Sequence, residues 1–178
     1  TTKRDASEAT LNIFVRDKRA QFLITELDHV LARGSFSADL AGPSPLPQPE
    51  AAKTLNAMVK MGYTILYVSG REDVWRNYLS EWLEHHGFPS GPLFFWDYLR
   101  SPLSPSDHKN YLLSVFQAQW TGKKIAVSGS RQDAALFARA GIRSIWFSEP
   151  VPEKIPAEVI WTSDWKSLGD QLAGNKPR

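Results

Sequence analysis

Residues 22–34 read FLITELDHVLARG, and the fold turns on the first seven of them. The apolar run from Phe22 to Thr25 reads as a buried strand, and it delivers two carboxylates, Glu26 and Asp28, one residue apart. On an extended chain, residues two apart point the same way. The strand end should therefore present an acidic pair.

Outward from this stretch, short apolar runs alternate with helical periodicity. YTILYVS (63–69), KIAVS (124–128) and RSIWF (143–147) read as buried strands, LFF (93–95) as a short one, and EVIW (158–161) as a last edge. Pro49 suits a first helical turn, with Leu55, Met58 and Val59 facing inward until Gly62 ends the helix. A second helix is expected from Arg71, carried by Trp75, Tyr78, Leu79, Trp82 and Leu83 and ending near Gly87. A third starts around Ser106 or Asp107 with Leu112, Val115 and Phe116 inward and stops before Gly122, and 131–140 forms a fourth, closed by Gly141. This alternation predicts an α/β three-layer sandwich with a mostly parallel sheet covered on both faces.

The 178 residues suit a single domain spanning 1–178. Within it, 1–20 reads as an N-terminal strand or hairpin extension. LNIFVRDKRAQFLIT (11–25) places two β-prone runs around a polar turn at Arg16–Arg19. GPSPLPQP (42–49) should be an extended, proline-rich loop.

Hydrophobic residues make up 42% and charged residues 22%, the pattern of a soluble globular chain. A net charge of +2 is too small to argue for nucleic-acid binding. Small basic clusters at Lys3 and Arg4, Arg16–Arg19, and Lys123 and Lys124 leave room for weak attraction to an anionic surface. With no cysteine, disulfides, thiolate catalysis and zinc–thiolate sites are excluded. No stretch approaches the ~20 apolar residues of a membrane span, and TTKRDASEAT is not a signal peptide. The first residue is Thr, which leaves open a processed protein or a piece of a longer one.

In parallel sheets, ligands bind beyond the carboxyl ends of the strands. Glu26 and Asp28, Ser69-Gly70-Arg71, and Ser128-Gly129-Ser130 all follow predicted strands, so the polar, glycine-flanked positions share one rim. An acidic pair, a hydroxyl followed by Gly, a lysine on a later helix (Lys109) and a later acid (Asp133) make a phosphate site. Carboxylates hold Mg²⁺ or attack phosphorus, hydroxyl and backbone N–H groups bind phosphoryl oxygens, and the lysine neutralises charge built up in the transition state. Taken singly, each has an ordinary reading. Glu26 and Asp28 suit a solvated strand end, Ser69-Gly70 a strand-to-helix turn, Arg71 a local pair with Glu72 or Asp73, Lys109 a solvated helix position, and Asp133 a first-turn helix acid. Their order along the chain favours the site.

Four segments carry a resemblance: ELDHV, LYVSGRED, the Lys109 of SDHKNYLL, and AVSGSRQDAALFARAGI. Together, over about residues 20–148, they resemble the motifs of the haloacid dehalogenase superfamily of phosphohydrolases. GYTILYVSGREDVWRNYLSEWLEHHGFPSGPLFF is similar, more narrowly, to the lipin-type domain of phosphatidate phosphatases and of membrane-associated phosphatidylinositol transfer proteins of the retinal degeneration B type. The resemblance implies a Rossmann-like sheet, Mg²⁺, and a phosphate monoester such as phosphatidate, while the short stretch between the first motif and Pro49 leaves room for little or no cap. By position, Glu26 stands at the nucleophile, Asp28 at the general acid/base that also lends Mg²⁺ its backbone carbonyl, and Ser69, Gly70 and Arg71 at the phosphate loop. Lys109 matches the lysine, Asp133 the second acid of the last motif, and Gly129 the place of the first. Glu26, Asp28 and Asp133 are thus the expected metal ligands.

Two departures matter. A glutamate lengthens the attacking group by one methylene, and a misplacement of about 1 Å costs roughly 10²-fold in rate. Glycine at 129 removes a metal-binding acid and weakens the Mg²⁺ site. The expected function is a degenerate domain that binds a phosphate head group, phosphatidate above all, at a solvent-open site on a peripheral membrane surface, with no nucleic-acid partner. The alternative is an active Mg²⁺-dependent phosphatase. Among other residues, Trp75 and Trp82 are expected in the core, and Phe36, Trp96 and Tyr98 in loops packed on one another rather than on lipid. His29 is placed to reach a ligand, while His85, His86 and His108 belong to the surface.

Overall fold

Strand β1 (Gln21–Glu26) lies in the middle of the sheet, with parallel neighbours on both sides. The computed structural model describes residues 13–36, 44–96 and 105–173. After β1 come α1 (Ala51–Lys60), β2 (Tyr63–Glu72), α2 (Arg76–His85), β3 (Leu93–Trp96), α3 (Pro105–Gln119), β4 (Lys124–Ser128), α4 (Arg131–Arg139), β5 (Arg143–Phe147), β6 (Val159–Thr162) and α5 (Trp165–Ala173). The six strands pair in the order β3-β2-β1-β4-β5-β6, all parallel. Order reverses between β1 and β4, and the crevice at that switch point is where such sheets take their ligands.

The strands read as unbroken apolar runs because both faces are buried. Leu23, Ile65, Tyr67, Val127 and Ile145 form one core with α1, α2 and α5. Phe22, Ile24, Leu66, Val68 and Ala126 form the other with Leu112, Leu113 and Phe116 of α3 and Phe137 of α4. Each large side chain so buried contributes about 1.5–3 kcal/mol.

Several expectations are corrected. Of the extension expected over 1–20, residues 1–12 lie outside the described residues, and 13–20 form no strand and no hairpin. Both edges of β1 are taken by β2 and β4, while Ile13 and Val15 are exposed. Instead a turn at Asp17–Ala20 packs against Gly122, where a Cβ would lie 2.0 Å from the Ala20 carbonyl oxygen. Helix α1 starts after Pro49, at Ala51, behind a left-handed Glu50, and Val59 is exposed. β2 runs on to Glu72 with a bulge against β3, so the next helix follows a 3-10 turn (Asp73–Trp75) instead of starting at Arg71. Trp82 is core, but Trp75 is only half-buried. In α3, Leu113 rather than Val115 is buried.

The described part of the proline loop is anchored. Pro47 bridges Ala32, and Trp82 donates to the Pro45 carbonyl at 2.9 Å; residues 42 and 43 lie outside the described residues. Helix α5 is not foreseen by the sequence reading. Its first residue, Trp165, is buried, accepts a bond from the Thr54 hydroxyl and donates its indole N–H to the Val30 carbonyl at 2.7 Å.

Candidate functional site

Glu26 is the last residue of β1, and Ser128 the last of the adjacent β4. That register lets Glu26 Oε2 accept from Ser128 Oγ at 2.9 Å and from the Gly129 N–H at 3.0 Å. Glu26 Oε1 accepts from Lys109 Nζ at 2.5 Å. Lys109, reaching in from α3, also donates to Asp133 Oδ2 at 2.5 Å. Asp133 is fixed in the first turn of α4, where its own N–H is capped by Ser130 Oγ at 3.3 Å.

Three residues far apart in sequence thus meet as one ion triad, and their side chains are only 11–12% exposed. The site is less open than expected. Burial pushes the Glu26 carboxyl above its ordinary value, with Lys109 pulling it down and the Asp133 charge pushing it up. Burial also works against the Lys109 ammonium, but its two carboxylate partners outweigh that and raise its pKa. One cation serves two acids, so the triad holds a surplus negative charge.

Asp28 does not act with Glu26. The strand ends at Glu26, and Leu27, Val30 and Leu31 turn into the core, so the expected side-by-side pair separates. Asp28 Oδ1 accepts the Phe36 N–H at 2.9 Å, and its two oxygens take Arg71 NH2 and Nε at 2.8 and 3.3 Å. Arg71 also donates to the Phe36 carbonyl at 2.5 Å and lies over the Trp75 ring, 4.6 Å from its centroid. Its partner is therefore neither Glu72 nor Asp73. Phe36 and Trp75 complete this second cluster, and sequence periodicity carries no signal for either role.

Ser69 sits one residue past Val68, which faces Glu26 across the β1–β2 ladder. It is buried, and its Oγ accepts the Arg71 N–H at 3.1 Å. Gly70 is exposed on the bulge. His29 has a left-handed backbone, and its Nε2 shares a hydrogen bond with Ser35 Oγ at 2.7 Å. Phe36 is buried, but against Tyr78 and Trp82 of helix α2 rather than another loop, and Trp96 closes strand β3; Tyr98 and the side chain of His108 lie outside the described residues.

The residues fit Mg²⁺ poorly. Such an ion needs several oxygens in near-octahedral array. Here Lys109 already bridges the two carboxylates, the other Glu26 oxygen takes two protein donors, and Gly129 brings no acid. Among the described residues, no group of three or more His, Cys, Asp or Glu is arranged to hold a metal.

Residues 23–147 match the family model described as PITM 1-3, LNS2 domain. The chain belongs to that LNS2 family. This LNS2 domain is 32% identical over 111 residues, 61% of its length, to human membrane-associated phosphatidylinositol transfer protein 3. It is 27% identical over 135 residues, 74% of its length, to the protein retinal degeneration B of Drosophila melanogaster. It spans about a tenth of those proteins, 11% of each.

Among solved structures, the LNS2 domain resembles a D,D-heptose 1.7-bisphosphate phosphatase from B. bronchiseptica complexed with magnesium and phosphate. The TM-score is 0.64 at 14% identity, covering 88% of this chain and 99% of that one. An uncharacterized protein from Listeria monocytogenes serotype 4b gives 0.60 at 17% identity, covering 86% and 97%. These likenesses establish the fold alone, a Rossmann-like sandwich around a parallel sheet. No helix among the described residues is long and apolar enough to cross a membrane.

Proposed function

We propose that this LNS2 domain binds the phosphate head group of a lipid, phosphatidate above all, at a membrane surface and does not turn it over efficiently. The observation that carries the reading is the state of Glu26. An ionised carboxylate oxygen offers two lone-pair sites. Those of Oε2 go to Ser128 and Gly129, and one of Oε1's goes to Lys109, so three of the four sites are taken and the ion pair holds the one oxygen that could attack phosphorus. Attack also needs the reacting atoms about 3–3.5 Å apart and aligned, which a carboxylate tethered at both oxygens and lengthened by a methylene does not offer. Asp28, at the acid/base position, is committed to Arg71.

Binding draws on what remains. Lys109 has three N–H donors and spends two on its acids, leaving one for a phosphoryl oxygen. Ser69 lies on the adjacent strand β2, one residue past the Val68 that pairs with Glu26. The membrane setting draws on the relatives, which are named membrane-associated.

The test sets hydrolysis of phosphatidate and of a soluble phosphate monoester, with Mg²⁺, beside sedimentation with phosphatidate-containing vesicles. The expected result is vesicle binding with no turnover. Measurable wild-type turnover rejects the reading, and so does failure to prefer phosphatidate over phosphatidylcholine vesicles. Activity gained by Glu26→Asp would show a lapsed phosphatase held back by one methylene.

A further inference from the structure

We infer that the Lys109 ammonium is the resident cation of this pocket, so that head-group binding needs no divalent ion. The inference rests on the head-group reading for its ligand, but the place of Lys109 is testable without one. Lys109 Nζ stands 2.5 Å from Glu26 Oε1 and 2.5 Å from Asp133 Oδ2, between the two acids that a divalent ion would have to bridge. A divalent ion entering there would meet a fixed positive charge within a few ångströms, in a site screened from water, where charge repulsion is strongest. Gripping Glu26 through both oxygens would in addition strip Oε2 of the Ser128 hydroxyl and the Gly129 N–H. The Gly129 donor is a backbone N–H, placed just past the paired ends of β1 and β4.

The same geometry predicts a gain. With Lys109 gone, two buried carboxylates face each other without a counter-charge, which is the arrangement a divalent ion relieves. The pocket then trades one cation for another.

The experiment titrates Mn²⁺ into the chain, read by its electron paramagnetic resonance signal and by the shift in Tm, for the wild type, Lys109→Ala and Lys109→Gln. In parallel, binding to phosphatidate vesicles is measured with EDTA and with Mg²⁺, against phosphatidylserine vesicles. The expected result is no saturable Mn²⁺ binding by the wild type, tighter binding by roughly tenfold or more in either variant that folds, and vesicle binding unchanged by EDTA. Stoichiometric Mn²⁺ binding by the wild type overturns the inference, and that arm needs no variant to fold. So does a folded variant that takes up no more Mn²⁺ than the wild type. Vesicle binding that EDTA abolishes overturns metal independence but keeps the head-group reading. Vesicles left unbound in both conditions overturn the head-group reading, while the Mn²⁺ arm still decides the place of Lys109.

Discussion

Replacing Lys109 with Met keeps much of the side-chain volume and removes the charge that Glu26 and Asp133 share. Removing one partner from a buried ion pair costs about 3–5 kcal/mol, because it leaves an uncompensated charge. Glu26 keeps its bonds from Ser128 and Gly129, which argues for the lower end, about 3 kcal/mol at pH 7.5. For a domain of this size each kcal/mol moves Tm by about 2–4 °C, so a fall of about 6–12 °C is expected.

The pH dependence has a definite sign. Burial already holds the Glu26 carboxyl above its ordinary value of 4.5, and losing Lys109 removes the influence that pulled it down. A carboxyl raised on folding is neutral and harmless at low pH, and its cost appears as pH rises through the unfolded value toward the folded one. The gap between wild type and Lys109→Met should therefore narrow at pH 5. Urea unfolding followed by tryptophan fluorescence measures both conditions. A loss under about 1 kcal/mol at pH 7.5, or the same loss at both pH values, would refute a strained, shared-cation triad.

Three further outcomes are expected. Arg71→Lys loses the two-pronged grip on Asp28, the bond to the Phe36 carbonyl and the stack on Trp75. It should cost about 1.5–3 kcal/mol in denaturant unfolding despite keeping the charge. Glu26→Gln imitates the protonated carboxyl, so its stability relative to wild type should improve as pH rises above about 4.5, and its affinity for inorganic phosphate at pH 7, read by calorimetry, should exceed that of wild type. Gly122→Ala drives a methyl into the Ala20 and Arg19 carbonyls, at 2.0 and 2.3 Å, and should cost at least about 3 kcal/mol by thermal melting.

The layered fold was legible because parallel strands buried on both faces leave runs such as YTILY and KIAV, which periodicity reads well. The meeting of Glu26, Lys109 and Asp133 was legible only through motif order, since nothing local in SDHKNYLL marks its lysine as buried. What misled was local. GRED looked like a helix start, but the pull of Asp28 on Arg71 keeps that backbone extended past Ser69. The Glu26–Asp28 spacing suggested a pair, but the burial of Leu27 and Val30 bends the chain between the partners each acid finds. Helix α5 does carry an amphipathic stripe in WKSLGDQLA, with Trp165, Leu168 and Leu172 at i, i+3 and i+7, but the segment is short and holds a glycine, so packing of Trp165 supplies much of its stability.

That tryptophan sets the true extent of the folding unit. The motif-bearing stretch stops near Phe147, yet the turn just beyond Glu26 is held by an indole 135 positions downstream of Val30. A polypeptide severed after Phe147 would retain every residue of the triad and still lose the wedge that fixes the turn, with Ile145 and Phe147 laid open to water. Ancestry is written in the first four-fifths of the chain, while the stiffness its pocket depends on is imported from the remainder.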